Sequence, residues 1–160
     1  MVTDALGKSD VVSNFESVTA GSGNDSVTGT AAADSLLGGA GNDTLDGGSG
    51  QDTVSGGEGN DLILAMADAN ADSYFGDNGT DILSYQGVAT DLSLINFFAN
   101  TNSGFTVAGF TDVYGGLEGV IGGSGNDVMS THASSAGVYL DGHLGNDSLT
   151  GGNGNDTLLG

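Results

Sequence analysis

Ten aspartates of this 160-residue chain stand two places before an apolar residue, in a recurring frame. They are Asp25, Asp34, Asp43, Asp52, Asp61, Asp72, Asp81, Asp127, Asp147 and Asp156, followed by Val27, Leu36, Leu45, Val54, Ile63, Tyr74, Leu83, Met129, Leu149 and Leu158. Carboxylates in series can do two things. They can repel one another, or they can share a cation. Acid–base or nucleophilic catalysis needs a partner of another kind, and the chain offers little. It has one base, Lys8, no Arg and no Cys, and neither His132 nor His143 has a partner in the sequence pattern. No Ser or Thr sits in a nucleophile-elbow motif. The acidic total is 21, for a net charge of −20. Such a field repels phosphate and excludes a nucleic-acid partner. No run of 18 apolar residues exists, so no transmembrane helix is expected. No basic and apolar leader follows Met1, so an ordinary signal peptide is not expected either.

The frame that carries the aspartates has a period of nine. Residues 38–46 read GGAGNDTLD, 47–55 GGSGQDTVS and 56–64 GGEGNDLIL. Upstream stand AGSGNDSVT (20–28) and a decayed copy, GTAAADSLL (29–37). After a two-residue insertion come ADANADSYF (67–75), also decayed, and GDNGTDILS (76–84). Copies return at 122–130, 142–150 and 151–159, and Gly160 matches the first residue of another. The array is therefore expected to continue, and an open terminal rung invites end-to-end stacking with neighbouring modules of a longer protein. A longer repeat overlies the short one. Residues 10–25 and 112–127 match at 9 of 16 positions, aligning Glu16 with Glu118 and Asp25 with Asp127.

With the aspartate at position 6 and the apolar residue at position 8, each unit reads as a Gly-rich turn and a three-residue strand. The glycines at positions 1, 2 and 4 allow a tight turn with inward carbonyls. One apolar side chain flanked by two outward ones gives a strand with a single buried residue. Helix is excluded by the glycine density and the lack of a 3.6-residue stripe. Such strands cannot stand alone, so the expected fold is all-β: a parallel β-solenoid in which units 18 residues apart stack on the same side. The segment 85–111 lacks the repeat. There Leu92 and Leu94, and then Phe105 and Val107, alternate with polar residues as strands do, around a turn at 100–104. It is expected to form a longer hairpin-like excursion. The organisation is thus an entry strand over 1–19, a roll of seven units over 20–84, the excursion over 85–121 and a second roll segment over 122–160.

Stacking would line the position-6 aspartates in two columns, with neighbours about 5 Å apart. Two carboxylates at that distance repel by about 3 kcal/mol at an effective dielectric near 20. Lys8 alone cannot neutralise a column. A hard dication can, because carboxylates and carbonyls make an all-oxygen site suited to Ca²⁺. Mg²⁺ demands a stricter octahedron, and Zn²⁺ or Cu²⁺ wants His or Cys. The remaining acids Asp46, Asp68, Asp77, Asp91 and Asp141 read as solvated surface. Phe97, Phe98, Phe105 and Phe110 read as cover for the end or flank of the roll.

GGAGNDTLD and its copies resemble the RTX repeat, the hemolysin-type calcium-binding nonapeptide GGxGxDxUx. The segment 76–127 also resembles the C-terminal roll of serralysin-type secreted proteins. The resemblance implies a β-roll with several Ca²⁺ ions between successive turns. It implies that Asp25 with Asp43, Asp34 with Asp52, Asp43 with Asp61, Asp52 with Asp72, and Asp61 with Asp81 hold ions. Asp127, Asp147 and Asp156 do so in the second segment. Glu118, nine residues before Asp127, is implied as a ligand partnered by Asp81, whereas Glu16 would need a partner upstream. Turn carbonyls are implied at Gly21, Gly23, Gly38, Gly39, Gly41, Gly47, Gly48, Gly50, Gly56, Gly57, Gly59, Gly79, Gly123, Gly125, Gly145, Gly152 and Gly154. Departures weaken two places. Unit 29–37 lacks the glycines at positions 2 and 4, and 131–141 has no Asp to face Asp156. Implied with the family are no enzymatic activity, an extracellular location and export by the type I pathway as part of a larger secreted protein. A cell-surface adhesion or polysaccharide-binding module is the alternative.

Overall fold

The structure, a computed structural model, describes residues 16–95, 103–107, 110–131 and 135–160. Lys8, His132, Phe97, Phe98, Asn100 and Asn102 lie outside them, as does most of the entry strand expected over 1–19. Among the described residues every element is a β-strand. They coil into a parallel β-solenoid whose strands fall in three sheets.

One sheet is built from β1 (Ser17–Ser22), β3 (Ser35–Ala40), β5 (Thr53–Gly59), β7 (Ser73–Gly79), β11 (Phe110–Gly115) and β10 (Ser103–Val107), in that spatial order. The second runs β2 (Ser26–Thr30), β4 (Thr44–Gly48), β6 (Leu62–Leu64), β8 (Ile82–Ser84), β12 (Gly119–Ile121), β14 (Tyr139–Asp141), β16 (Thr157–Leu159). The third holds β9 (Ser93–Ile95), β13 (Val128–Ser130) and β15 (Ser148–Thr150). All pairings are parallel except β10 with β11.

The register follows the nine-residue frame. Val27 pairs with Leu45, Leu45 with Ile63, and Ile63 with Leu83. Across the wall of the roll, Val18, Leu36, Val54, Tyr74 and Tyr114 align in the same way. Two facing columns of position-8 side chains therefore fill the interior, and Leu45, Val54, Ile63 and Leu83 are completely enclosed. Burying one such side chain contributes about 1.5–3 kcal/mol. The expected three-residue strand is seen in β6, β8, β12 and β13, but β1, β3, β5 and β7 run to six or seven residues because parallel pairing continues into the glycine turns, as between Gly39 and Gly57. The two-residue insertion is absorbed where Val54 pairs with Tyr74 and Ile63 with Leu83, 20 residues on instead of 18.

The turns depend on glycine, as Gly57 shows. Its φ is +111°, and a Cβ there would strike the carbonyl oxygen of Gly39 in the neighbouring rung. The sequence pattern at positions 1, 2 and 4 is thus a demand of close backbone stacking as well as of turn shape.

The excursion contains an antiparallel hairpin, but its partners differ from the expected order. Phe105 and Val107 lie on β10, which pairs with β11. Leu94 lies on β9, which joins the repeat strand β13, with Leu94 opposite Met129. Strand β9 thus works as the first rung of the second roll segment. Ser103 and Gly104, expected in a turn, are strand residues of β10.

Candidate metal sites

The position-6 residues form ladders of a single kind. The backbone N–H of each donates to one carboxylate oxygen of the next rung's acid. On the side of the second sheet, Asp25 N donates to Asp43 Oδ1 at 2.8 Å, Asp43 N to Asp61 Oδ1 at 2.8 Å, and Asp61 N to Asp81 Oδ1 at 2.8 Å. Asp81 N donates to Glu118 Oε2 at 2.9 Å. On the side of the first sheet, Asp34 N donates to Asp52, Asp52 N to Asp72, and Asp72 N to Asp112, each at 2.9 Å. The third sheet carries a shorter ladder, with Leu92 N on Asp127 Oδ1 and Asp127 N on Asp147 Oδ1, both 2.9 Å. Val138 N donates to Asp156 Oδ1 at 3.1 Å.

One oxygen of Asp43, Asp61, Asp81, Asp52, Asp72, Asp112, Asp127, Asp147 and Asp156 is therefore spent on the ladder. The other faces the gap between rungs, and in several places it has nothing to bind. Oδ2 of Asp43, Asp61, Asp81 and Asp147, and Oδ1 of Asp34, are buried without a hydrogen-bond partner. A buried ionised oxygen left unpartnered costs several kcal/mol. Burial also raises the proton affinity of several ladder acids. Asp52 and Asp81 are pushed up to about 6 by desolvation, against backbone donors that lower them, with neighbouring acids of the column adding to the rise. Asp43 and Asp61 move the same way for the same leading reason. Asp112 is pushed up to about 6, and Asp72 is raised.

The turn glycines complete a cradle around these oxygens. A Cβ on Gly38 would fall against Asp43 Oδ2, and one on Gly56 against Asp61 Oδ2. Both also approach the carbonyl of the next rung's first glycine, Gly56 or Gly76. Carboxylate and carbonyl oxygens thus converge where a side chain would block them. Such a donor set, all oxygen and irregular, matches Ca²⁺. Of the other implied turn glycines, Gly21, Gly23, Gly39, Gly41, Gly48, Gly50, Gly57, Gly59, Gly79 and Gly145 take positive φ. Gly47 approaches Asp52, Gly123 approaches the carbonyls of Val88 and Tyr85, and Gly125 that of Thr90. Gly154 approaches Ala136, and Gly152 lies in the turn before β16.

The ladders bring together the acids paired in the sequence reading, Asp81 with Glu118 among them. They also contain an acid that the repeat frame did not single out. Asp112 stands two residues before Tyr114, as Asp72 stands before Tyr74, but no glycine turn precedes it. The shared pattern Asp–x–Tyr–x–Gly at 72–76 and 112–116 minus its turn was the available signal, together with the 102-residue repeat. The weakened places behave as their sequences suggest. In unit 29–37, Thr30 replaces a glycine, and its N–H and hydroxyl donate to Asp34 Oδ2 at 2.7 and 2.9 Å. Val138 occupies the rung facing Asp156. Asp46, Asp68 and Asp141, read as surface, accept backbone N–H groups two residues on, and Asp91 accepts Asn126 N. Asp77 accepts the Ser55 hydroxyl.

The model of the RTX calcium-binding nonapeptide repeat, four copies long, matches residues 19–54, 28–63, 47–83, 120–134 and 139–160, more than half of the chain. The chain belongs to the RTX family. RTX repeats bind Ca²⁺, several ions to an array, so this β-roll is a calcium-binding module. No curated protein matches the chain as a relative. Among the described residues, no helix is long and apolar enough to cross a membrane.

Proposed function

We propose that this RTX module is a non-catalytic folding switch of a longer secreted protein, unfolded where calcium is scarce and folded outside the cell. The observation that carries it is the row of buried, unpartnered carboxylate oxygens along the gaps between rungs. Ionised and without a cation, such a column opposes its own stacking. Bound in the gaps, Ca²⁺ would supply the positive charge that lets the rungs close. Extracellular calcium modules work at dissociation constants of about 10⁻⁴–10⁻³ M, far above the level inside a cell. An open chain in the cytoplasm is also one that can be threaded through an export channel, which fits a type I passenger.

The residues that would hold the ions are Asp25, Asp43, Asp61, Asp81 and Glu118 along one ladder, and Asp34, Asp52 and Asp72 along the other. Asp127 and Asp147 would serve the second segment, with Asp156 at its edge. The turn carbonyls beside them would complete each shell. The roll at 20–84 and the segment at 122–160 are then two ion-bearing pieces joined by the excursion at 85–121.

Far-ultraviolet circular dichroism of the whole chain tests this directly. After EGTA the spectrum should be that of a coil. CaCl₂ should convert it cooperatively to β, and MgCl₂ should not. A β spectrum that EGTA leaves unchanged would sink the switch.

A further inference from the structure

The gap between Asp72 and Asp112 is built differently from those at Asp43, Asp61 and Asp81. Between Asp72 and Asp112 the outward oxygens are already occupied. Tyr74 donates its hydroxyl to Asp72 Oδ2 at 3.0 Å, and Tyr114 donates to Asp112 Oδ2 at 3.2 Å. Tyr85 shares a hydrogen bond with the Tyr114 hydroxyl. The contrast with Asp43, Asp61 and Asp81, whose Oδ2 atoms have no partner, is direct.

The backbone differs as well. Unit 67–75 has no glycine at positions 1, 2 and 4, where Ala67, Asp68 and Asn70 stand. Ahead of Asp112 the sequence lacks glycines at the same three positions, where Val107, Ala108 and Phe110 stand. Residues 110–112 are extended strand, with Phe110, Thr111 and Asp112 opposite Val107, Thr106 and Phe105 in the antiparallel ladder. The carbonyls of these residues therefore have strand directions, not the inward ones of a Gly-rich turn. The carboxylate oxygens that are free elsewhere are taken here, and the glycine pattern of the other turns is missing from both rungs.

What replaces them is aromatic. Tyr74 and Tyr114 are opposite one another in register, and their rings stack with centroids 5.9 Å apart and planes at 17°. Tyr74, Tyr85 and Tyr114 are all buried, with Tyr85 and Tyr114 among the largest fully enclosed side chains. They stand where the parallel stack of the first sheet meets its antiparallel edge. We propose that the Asp72–Asp112 gap takes no cation and is closed instead by a tyrosine clasp, a calcium-independent fastening between the first roll and the chain that follows. The clasp deepens the calcium-switch reading and rests on it for the other gaps. On its other side Asp72 Oδ1 accepts the Asp52 N–H, as in the other rungs.

The test counts ions on the whole chain. Equilibrium dialysis against CaCl₂ would be applied to the parent, to Asp112→Asn, to the double variant Tyr74→Phe/Tyr114→Phe, and to Asp61→Asn as the contrast. The first two variants should bind as many ions per chain as the parent, and Asp61→Asn should bind fewer. The double Phe variant should also melt about 5–15 °C lower at saturating CaCl₂, since two buried hydrogen bonds to carboxylates are lost. Loss of an ion in either clasp variant overturns the proposal, and so does a double Phe variant that melts like the parent. Should Asp112→Asn show no β spectrum at saturating CaCl₂, the double Phe variant decides both counts. A parent that binds no calcium defeats the folding switch before any variant is compared. The melting comparison then judges the clasp by itself.

Discussion

Replacing Gly57 with alanine isolates the demand that close stacking places on the backbone. Gly57 has φ +111° and is paired in strand register with Gly39. An L-residue held at positive φ costs about 1–2 kcal/mol. The added methyl also meets backbone, with the Gly39 carbonyl oxygen nearest, its carbon at 3.0 Å and the Gly39 nitrogen at 3.1 Å. Backbone locked between two rungs cannot swing aside as a flexible side chain would, so relieving the overlap costs a further 1–3 kcal/mol, roughly that of overpacking a core. The total is about 2–5 kcal/mol. For a chain of this size that lowers the melting temperature by about 6–15 °C. Gly87 is the control, because a Cβ there meets nothing within 4 Å. Gly87→Ala should gain about 0.4–1 kcal/mol from a stiffer unfolded chain, or about 1–3 °C. Both variants would be melted by circular dichroism at the same saturating CaCl₂. If Gly57→Ala melts with the parent, or if Gly87→Ala falls as far as Gly57→Ala, the stacking account of the glycines is wrong.

Leu45 is completely enclosed, so Leu45→Ala should cost about 2–5 kcal/mol in urea unfolding at fixed calcium; a loss under about 1 kcal/mol would mean that the interior is loosely packed there. In the absence of calcium, acid should favour the roll. Burial raises Asp52, Asp81 and Asp112 to about 6 from an unfolded value of 3.8, so between those limits the folded chain holds more protons. Their stabilisation is complete below about 3.8 and is lost as pH rises through about 6. In EGTA, the β signal should therefore grow as pH is lowered from 7.5 to 4.5, and a flat signal would refute the burial of these acids. Val138 holds the rung between Glu118 and Asp156, where Tyr139 N donates to the Glu118 carbonyl and Thr157 N to that of Val138. Val138→Asp should destabilise the calcium-free chain and raise the ion count by one at saturating CaCl₂. An unchanged count would show that a carboxylate alone does not make a site there.

The sequence carried the roll because its determinants are local. A glycine pattern, an acid two places before an apolar residue, and a fixed step of nine place Asp25 to Asp81 in two ladders without any tertiary information. Glu118 was singled out only through the family resemblance, which marks an acid nine residues before a repeat aspartate. Asp112 was not, because its rung is entered from the β10–β11 hairpin and lacks the glycine pattern that announces the others. The partner of β9 was hidden for a related reason. Strand β9 pairs with β13, from 35 residues away, and nothing in the few residues around Leu94 encodes that distance. The tyrosine hydroxyls of the clasp look like ordinary position-8 bulk until the neighbouring carboxylates are placed beside them.

The ladder distances carry a consequence for how the roll assembles. Within the first roll each rung closes a loop of 18 or 20 residues, as between Asp25 and Asp43 or Asp61 and Asp81. At the joint the loops lengthen to 40 residues between Asp72 and Asp112, 37 between Asp81 and Glu118, and 35 between Leu92 and Asp127. Loop-closure entropy grows only as the logarithm of length, so the longest of these costs about 0.7 kcal/mol more than a repeat rung. The penalty is small in equilibrium, yet it falls at a single place. Either side of that place the chain has low contact order and can zip rung by rung from any nucleus. The three long closures, one beside each sheet, make the joint the seam at which two independent zippers must come into register.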